Sequence, residues 1–173
     1  TRGIILTAGR GSRLGPVTKN SHKSLIKFDK TNLIENILHN FKKNQIKKVC
    51  LVTGYNHKLF KKYKIKNFLN KYWKSTNMVY SLMMADAWLR KYTCIISYSD
   101  IYYNPKAIKL LKKSKNNFVI LNNKNWLSNW KSRYKNPLLD AESFKIDKKK
   151  FLTEIGNKEK SVKNIHGQYM GLI

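Results

Sequence analysis

Residues 3–8 read Gly-Ile-Ile-Leu-Thr-Ala and run directly into Gly9-Arg10-Gly11-Ser12-Arg13-Leu14-Gly15. A short apolar, β-branched run of this kind predicts a strand buried on both faces, as in the middle of a parallel sheet. The glycines that follow predict a loop at the C-terminal edge of that sheet. There backbone N–H groups can approach a phosphate closely, because no side chain stands in the way. Arg10 and Arg13 add planar donor forks that stay charged at any relevant pH. The rest of the chain is constrained by this opening.

Alternation follows it. Asn32 opens a helix whose apolar positions Leu33, Ile34, Ile37, Leu38 and Phe41 form one stripe. Residues 48–53 predict a second strand ending at Gly54-Tyr55, a helix starts near Lys58, and 65–69 is a short third strand. Asn77 caps a helix carrying Val79, Leu82, Met83 and Trp88. Residues 93–98 form the next strand, closed by Ser99-Asp100, followed by a helix near 106–112 and a strand at 118–121. The expected fold class is α/β, a mostly parallel Rossmann-like sheet flanked by helices. From Asn122 the pattern changes. Trp126, Trp130 and Tyr134 fall four apart, as on a helix face. Residues 144–147 and 151–155 read as a hairpin around the lysine turn 148–150, and 166–173 begins another strand. Residues 122–165 are therefore expected as a small helical and hairpin subregion of a single domain spanning 1–173.

Composition narrows the function. At 173 residues and 42% hydrophobic content the chain can bury a core and is not a disordered segment. The net charge of +27 comes from 36 Lys and Arg against 9 Asp and Glu, with arginine only at 2, 10, 13, 90 and 133. Lysine and asparagine spread along the chain read as a surface bias, whereas a dedicated nucleic-acid binder clusters arginine among aromatics. Nucleic acid is expected to bind only non-specifically, while small anions are attracted. Cys50 and Cys94 lie in apolar strands and read as buried, reduced thiols suited to a cytoplasmic compartment. No apolar run spans a membrane and no leader is visible. A first residue other than Met predicts a trimmed N-terminus. The histidines at 22, 39, 57 and 166 lack zinc-ligand spacing.

The loop fails two familiar fingerprints. Gly9-x-Gly11-x-x-Leu14 lacks the third glycine of a dinucleotide site, and no Gly-Lys-Ser/Thr of a P-loop is present. Ile4 to Leu14, with Thr18 and Lys23-Ser24-Leu25, instead resembles the signature of sugar-phosphate and phosphocholine nucleotidylyltransferases. His22 departs from it, standing where proline usually precedes the lysine. Thr76–Leu82, Tyr98-Ser99-Asp100, Pro137–Glu142, Glu154–Lys158 and Gly167–Gly171 extend the resemblance over nearly the whole chain. They place it closest to cytidylyltransferases acting on phosphocholine-like or phosphonate substrates.

The resemblance implies a GT-A-like fold and transfer of CMP from CTP to a small phosphate or phosphonate acceptor, with release of pyrophosphate. It implies Arg13 and Lys23 as catalytic cations. Nucleotide contacts are implied at Ala8, Gly9, Arg10, Gly11, Ser12, Arg13, Gly54, Tyr55, Asn77 and Ser81, and Asp100 as the ligand of Mg²⁺. Asn77 reads equally as a helix N-cap. On the acceptor side, Trp73, Trp88, Tyr102, Trp126, Trp130 and Tyr134 could cage a quaternary ammonium or simply pack in the core, and Arg133, Lys145 and Lys158 could instead hold a carboxylate or phosphonate, with Glu154 a further acceptor candidate. Related enzymes carry a second metal-binding aspartate beyond the strand that starts near Gly167. The chain stops at Ile173, so either a C-terminal segment is missing or another carboxylate serves, with Asp140, Glu142 and Glu154 the candidates. Two other functions stay open: sugar-1-phosphate nucleotidylyl transfer from UTP or dTTP, and a non-catalytic, RNA-associated domain.

Overall fold

The computed structural model describes residues 1–28 and 30–173. It forms two compact units, one of residues 1–119 with 171–173 and one of residues 120–170.

The first unit is built on a four-stranded parallel sheet. Strand β1 (Arg2–Thr7) runs through its middle. After it, a short hairpin pairs β2 (Lys27–Phe28) with β3 (Thr31–Asn32), and helix α1 (Leu33–Lys43) follows. Strand β4 (Val49–Thr53) then joins one side of β1 and β5 (Lys66–Leu69) lies outside β4. Helices α2 (Met78–Met83) and α3 (Asp86–Leu89) lead back to β6 (Cys94–Tyr98), which pairs with the other side of β1. Helix α4 (Lys106–Lys113) closes the unit. The strand order is β5-β4-β1-β6.

Both faces of β1 are covered, as its unbroken apolar run requires. On one face Ile4 and Leu6 pack with Cys50, Val52, Ala85 and Ile96, and Leu82, Trp88 and Leu89 cover that cluster. On the other, the Phe41 ring of α1 lies over Gly3, and Ile34, Ile37 and Phe41 are wholly buried. Asn32 and Glu35 form a reciprocal capping box at the start of α1, satisfying N–H groups that the first turn leaves unpaired.

Four segments differ from the sequence expectation. Residues 57–63 form a 3₁₀ helix, with Phe60 its buried residue and Lys58 and Lys62 repelling one another on the outside. The helix opened by Asn77 breaks into α2 and α3 around the fully buried Ala85, which leaves Val79 66% and Met83 46% exposed. Residues 118–121 form no strand, and Phe118 is exposed. The free edge of β6 is instead taken by 171–173 running antiparallel, with Ile96 and Ile173 exchanging hydrogen bonds at 2.8 and 2.9 Å. Gln168–Tyr169 of the expected last strand pairs instead with Asn122–Asn123.

In the second unit, β7 (Asn122–Asn123) pairs antiparallel with β10 (Gln168–Tyr169), and α5 (Trp126–Lys131) lies between them in the chain. Strands β8 (Phe144–Ile146) and β9 (Leu152–Ile155) form the expected hairpin. Its core is Trp126, Ala141, Phe144 and Ile165.

Candidate active site

The chain leaves β1 for β4 and β5 on one side, then returns to β6 on the other. The loops after β1 and β6 therefore part at their carboxyl ends, which in open parallel sheets is where ligands bind. Lys23 comes from the first loop and Asp100 from the second. Across 77 residues of sequence, the Lys23 ammonium donates to Asp100 Oδ2 at 2.6 Å. The pair is partly exposed, and such pairs contribute only about 0–1 kcal/mol, so either partner can be given up to a ligand at small cost.

The glycine loop is shaped around that lysine. Gly11 sits at φ 72°, ψ 46°, and a Cβ there would meet Lys23 Cδ at 2.9 Å. The left-handed turn and the close side chain together demand glycine. Ser12–Thr18 then coil as a 3₁₀ segment, with the buried Thr18 hydroxyl facing the Gly11 and Gly15 carbonyls. Gly9, Arg10, Ser12 and Arg13 are exposed and open to a ligand.

Tyr55 holds this loop from behind. Its N–H donates to the Ala8 carbonyl at 2.9 Å. Its hydroxyl donates to the Lys19 carbonyl at 2.6 Å, with the Thr18 carbonyl at 3.0 Å. Trp73 packs edge-on to the Tyr55 ring, with centroids 5.1 Å apart, and the Arg10 guanidinium lies 5.6 Å from the same ring. Gly54 makes this packing possible: a Cβ would lie 2.5 Å from Trp73 Cβ and 2.7 Å from the Ala8 oxygen. Gly54, Tyr55 and Trp73, with Lys19 and Asn20, border an open depression of about 580 Å³ beside the loop.

Asn77 caps α2, its side chain accepting the Tyr80 N–H at 2.9 Å. Ser81 is buried, and its hydroxyl contacts the Asn77 carbonyl and Asn70 Nδ2, so it supports the turn from beneath. The sequence reading missed Asn70. Fully buried, it ties the strand end at Thr53 to Thr76, Ser81 and Tyr72. An asparagine at the turn between β5 and the next helix was the available signal.

His22, a departure from the family signature, has a structural place of its own. It is wholly buried directly before Lys23. Nδ1 accepts the Ser24 N–H at 3.2 Å and lies 2.7 Å from the Ser24 hydroxyl, and the ring stands edge-on to Phe60. Burial, reinforced by the Lys23 charge, lowers its pKa from 6.5 to about 4, against opposing contributions from the Gly9 and Thr7 backbone and from Asp100.

Among the described residues, no three His, Cys, Asp or Glu groups are placed to hold a metal ion. Asp100 alone fits a hard divalent cation held mainly by phosphate oxygens, since such ions take one or two carboxylates and complete their shell from the substrate.

The remaining predicted positions belong to the second unit. Trp126 is 3% exposed and its indole N–H donates to the Ile165 carbonyl, so it builds that core and offers no face to an acceptor. Glu154 is paired with Lys145 at 2.9 Å, and Lys145 also holds Glu159 at 2.6 Å, contacts that lower the pKa of both acids. Asp140 accepts the Trp130 indole N–H. Arg133 stacks near Trp130 and Tyr134, and Lys158 reaches the Leu139 carbonyl at 3.3 Å. Arg133 and Lys158 remain exposed.

Residues 3–140 match the family described as the MobA-like NTP transferase domain. The chain is 34% identical over 98% of its length to the CTP:phosphoglutamine cytidylyltransferase of Campylobacter jejuni, spanning 70% of that protein. It is 33% identical over 64% of its length to the choline-phosphate cytidylyltransferase of Haemophilus influenzae, covering 48% of it. Among solved structures, the inositol-1-phosphate CTP transferase of T. maritima superposes with a TM-score of 0.73. It is 19% identical, with 99% of this chain and 68% of that one covered, a likeness of fold.

Proposed function

The chain belongs to the MobA-like NTP transferase family, and from that premise we propose that it transfers CMP from CTP to a small phosphorylated or phosphonate acceptor, releasing pyrophosphate. The observation that carries the reaction type is the meeting of Lys23 and Asp100 at the mouth of the glycine loop. The choice of CTP rests on the cytidylyltransferases to which the chain is similar.

In this reading an acceptor oxygen attacks the α-phosphorus in line, forming one P–O bond as the bond to pyrophosphate breaks. The protein contributes position and charge. The exposed amides of Gly9 to Ser12 and the Arg13 guanidinium hold the β- and γ-phosphates and stabilise the leaving group. Lys23, released from Asp100, neutralises charge at the α-phosphate. The depression beside Tyr55 receives base or ribose, with Asn77 at the next turn. Asp100 would hold Mg²⁺, which when bound draws charge from the triphosphate oxygens. Arg133 and Lys158 are proposed for the acceptor. Trp126 is left out because it is buried. The buried Cys50 and half-buried Cys94 are free thiols, consistent with a cytoplasmic enzyme.

The test is pyrophosphate release from each nucleoside triphosphate in turn, with phosphocholine, phosphorylated amides and small phosphonates as acceptors, and mass spectrometry of the product. Turnover with CTP and a CMP-bearing product is expected. Turnover confined to UTP or dTTP with sugar 1-phosphates would replace the reading. Salt-resistant RNA binding without nucleotide binding would reject it.

A further inference from the structure

We propose that His22 is a positioning residue for nucleotidyl transfer, holding the Lys23 turn and the glycine loop in one frame. The inference rests on the reading of this site as a nucleotidyltransferase centre.

The geometry fixes the tautomer. Nδ1 takes the Ser24 N–H, so that nitrogen carries its lone pair and the ring's proton sits on Nε2. This contact caps the 3₁₀ turn Lys23–Leu25 and so orients the backbone from which Lys23 projects. Nε2 is buried with no hydrogen-bond partner among the described residues. The imidazole aims the Lys23 ammonium through the turn that it caps, and Gly11, where a Cβ would meet Lys23 Cδ at 2.9 Å, joins that turn to the glycine loop. Phe60 packed edge-on at 5.0 Å keeps the ring from swinging away.

The test compares His22→Phe, His22→Asn and Ser24→Ala with the wild-type chain. Phenylalanine keeps the ring volume and removes both nitrogens. Asparagine places an oxygen where Nδ1 accepts the Ser24 N–H. For the folded fraction of His22→Phe, kcat is expected to fall roughly tenfold to a hundredfold, as for misplaced reacting groups. His22→Asn should recover most of that loss. Ser24→Ala should lower kcat by a few-fold. A long-range ¹H–¹⁵N spectrum of the wild-type chain at neutral pH should show His22 protonated on Nε2 only.

Unchanged kcat in folded His22→Phe overturns the inference, as does a proton on Nδ1. If His22→Phe does not fold, wild-type kcat in Ser24→Ala overturns it instead. Absence of turnover by the wild-type chain with any triphosphate counts against the proposed reaction, and the His22 spectrum still decides the geometry.

Discussion

The two units are held by different means. The first is a parallel sheet whose middle strand is apolar on both faces, so its loops start from rigid points at β1, β4 and β6. The second has a small aromatic core, short strands, and a cluster in which Lys145 joins Glu154 and Glu159. Charges that must meet to the tolerance of a hydrogen bond, Lys23 and Asp100, hang from the sheet. The second unit carries the exposed cations Arg133 and Lys158 on a lighter scaffold. The difference teaches that fixed positions come from the parallel sheet, whereas the second unit rests on a small aromatic core and side-chain pairs.

That division can be broken at its strongest point first. Phe144→Ala empties the second core and should cost that unit about 3–5 kcal/mol, while CTP affinity stays within a few-fold. Hydrogen exchange by segment, with calorimetric titration of CTP, reads both quantities. A large loss of CTP affinity would join the two units into one functional body.

Acid should strike the first unit. His22 binds a proton less readily folded than unfolded, so its contribution is complete above its ordinary value of 6.5 and is lost as the pH falls towards 4. The full difference is on the order of 3 kcal/mol. Urea melts between pH 7 and pH 4 should show this slope, and His22→Phe should flatten it.

Arg13→Ala and Lys23→Ala should each lower turnover on the order of 10²-fold, the loss typical of one preorganised charge donor. Both are expected to melt close to the wild-type temperature, because Arg13 is exposed and the Lys23 pair is weak. Asp100→Ala should remove the dependence on divalent metal. The smallest effect is expected for Lys145→Met, a loss of about 1 kcal/mol or less in a melt, because the pairs it makes are partly exposed and partly screened by water.

Much of this was legible in the residues. Period and β-branching marked β1, β4 and β6, and Asn32 marked the start of α1. The glycine loop declared itself through Gly11, whose left-handed turn few other residues tolerate. Lys23 and Asp100 were each legible as site residues, but their direct pairing shows only in the fold. What escaped depends on the far partner. Tyr55 reads as a ligand contact, and that its hydroxyl also straps the loop is something no local pattern encodes. Trp126 stayed open between a cage and core packing, because helical spacing shows that a face exists and not what covers it; it is buried in the second core. Residues 118–121 look like a strand by composition, yet the edge they would join is filled by 171–173 from the other end of the chain.

The central claim is that the turn closing β1 grips a triphosphate. A crystal structure with CTP bound tests it most directly. The account predicts the β- and γ-phosphates against the Gly9–Arg13 amides and guanidinium, with Lys23 drawn off Asp100 onto phosphate. CTP seated elsewhere, with the Lys23–Asp100 pair intact and the loop untouched, would contradict it.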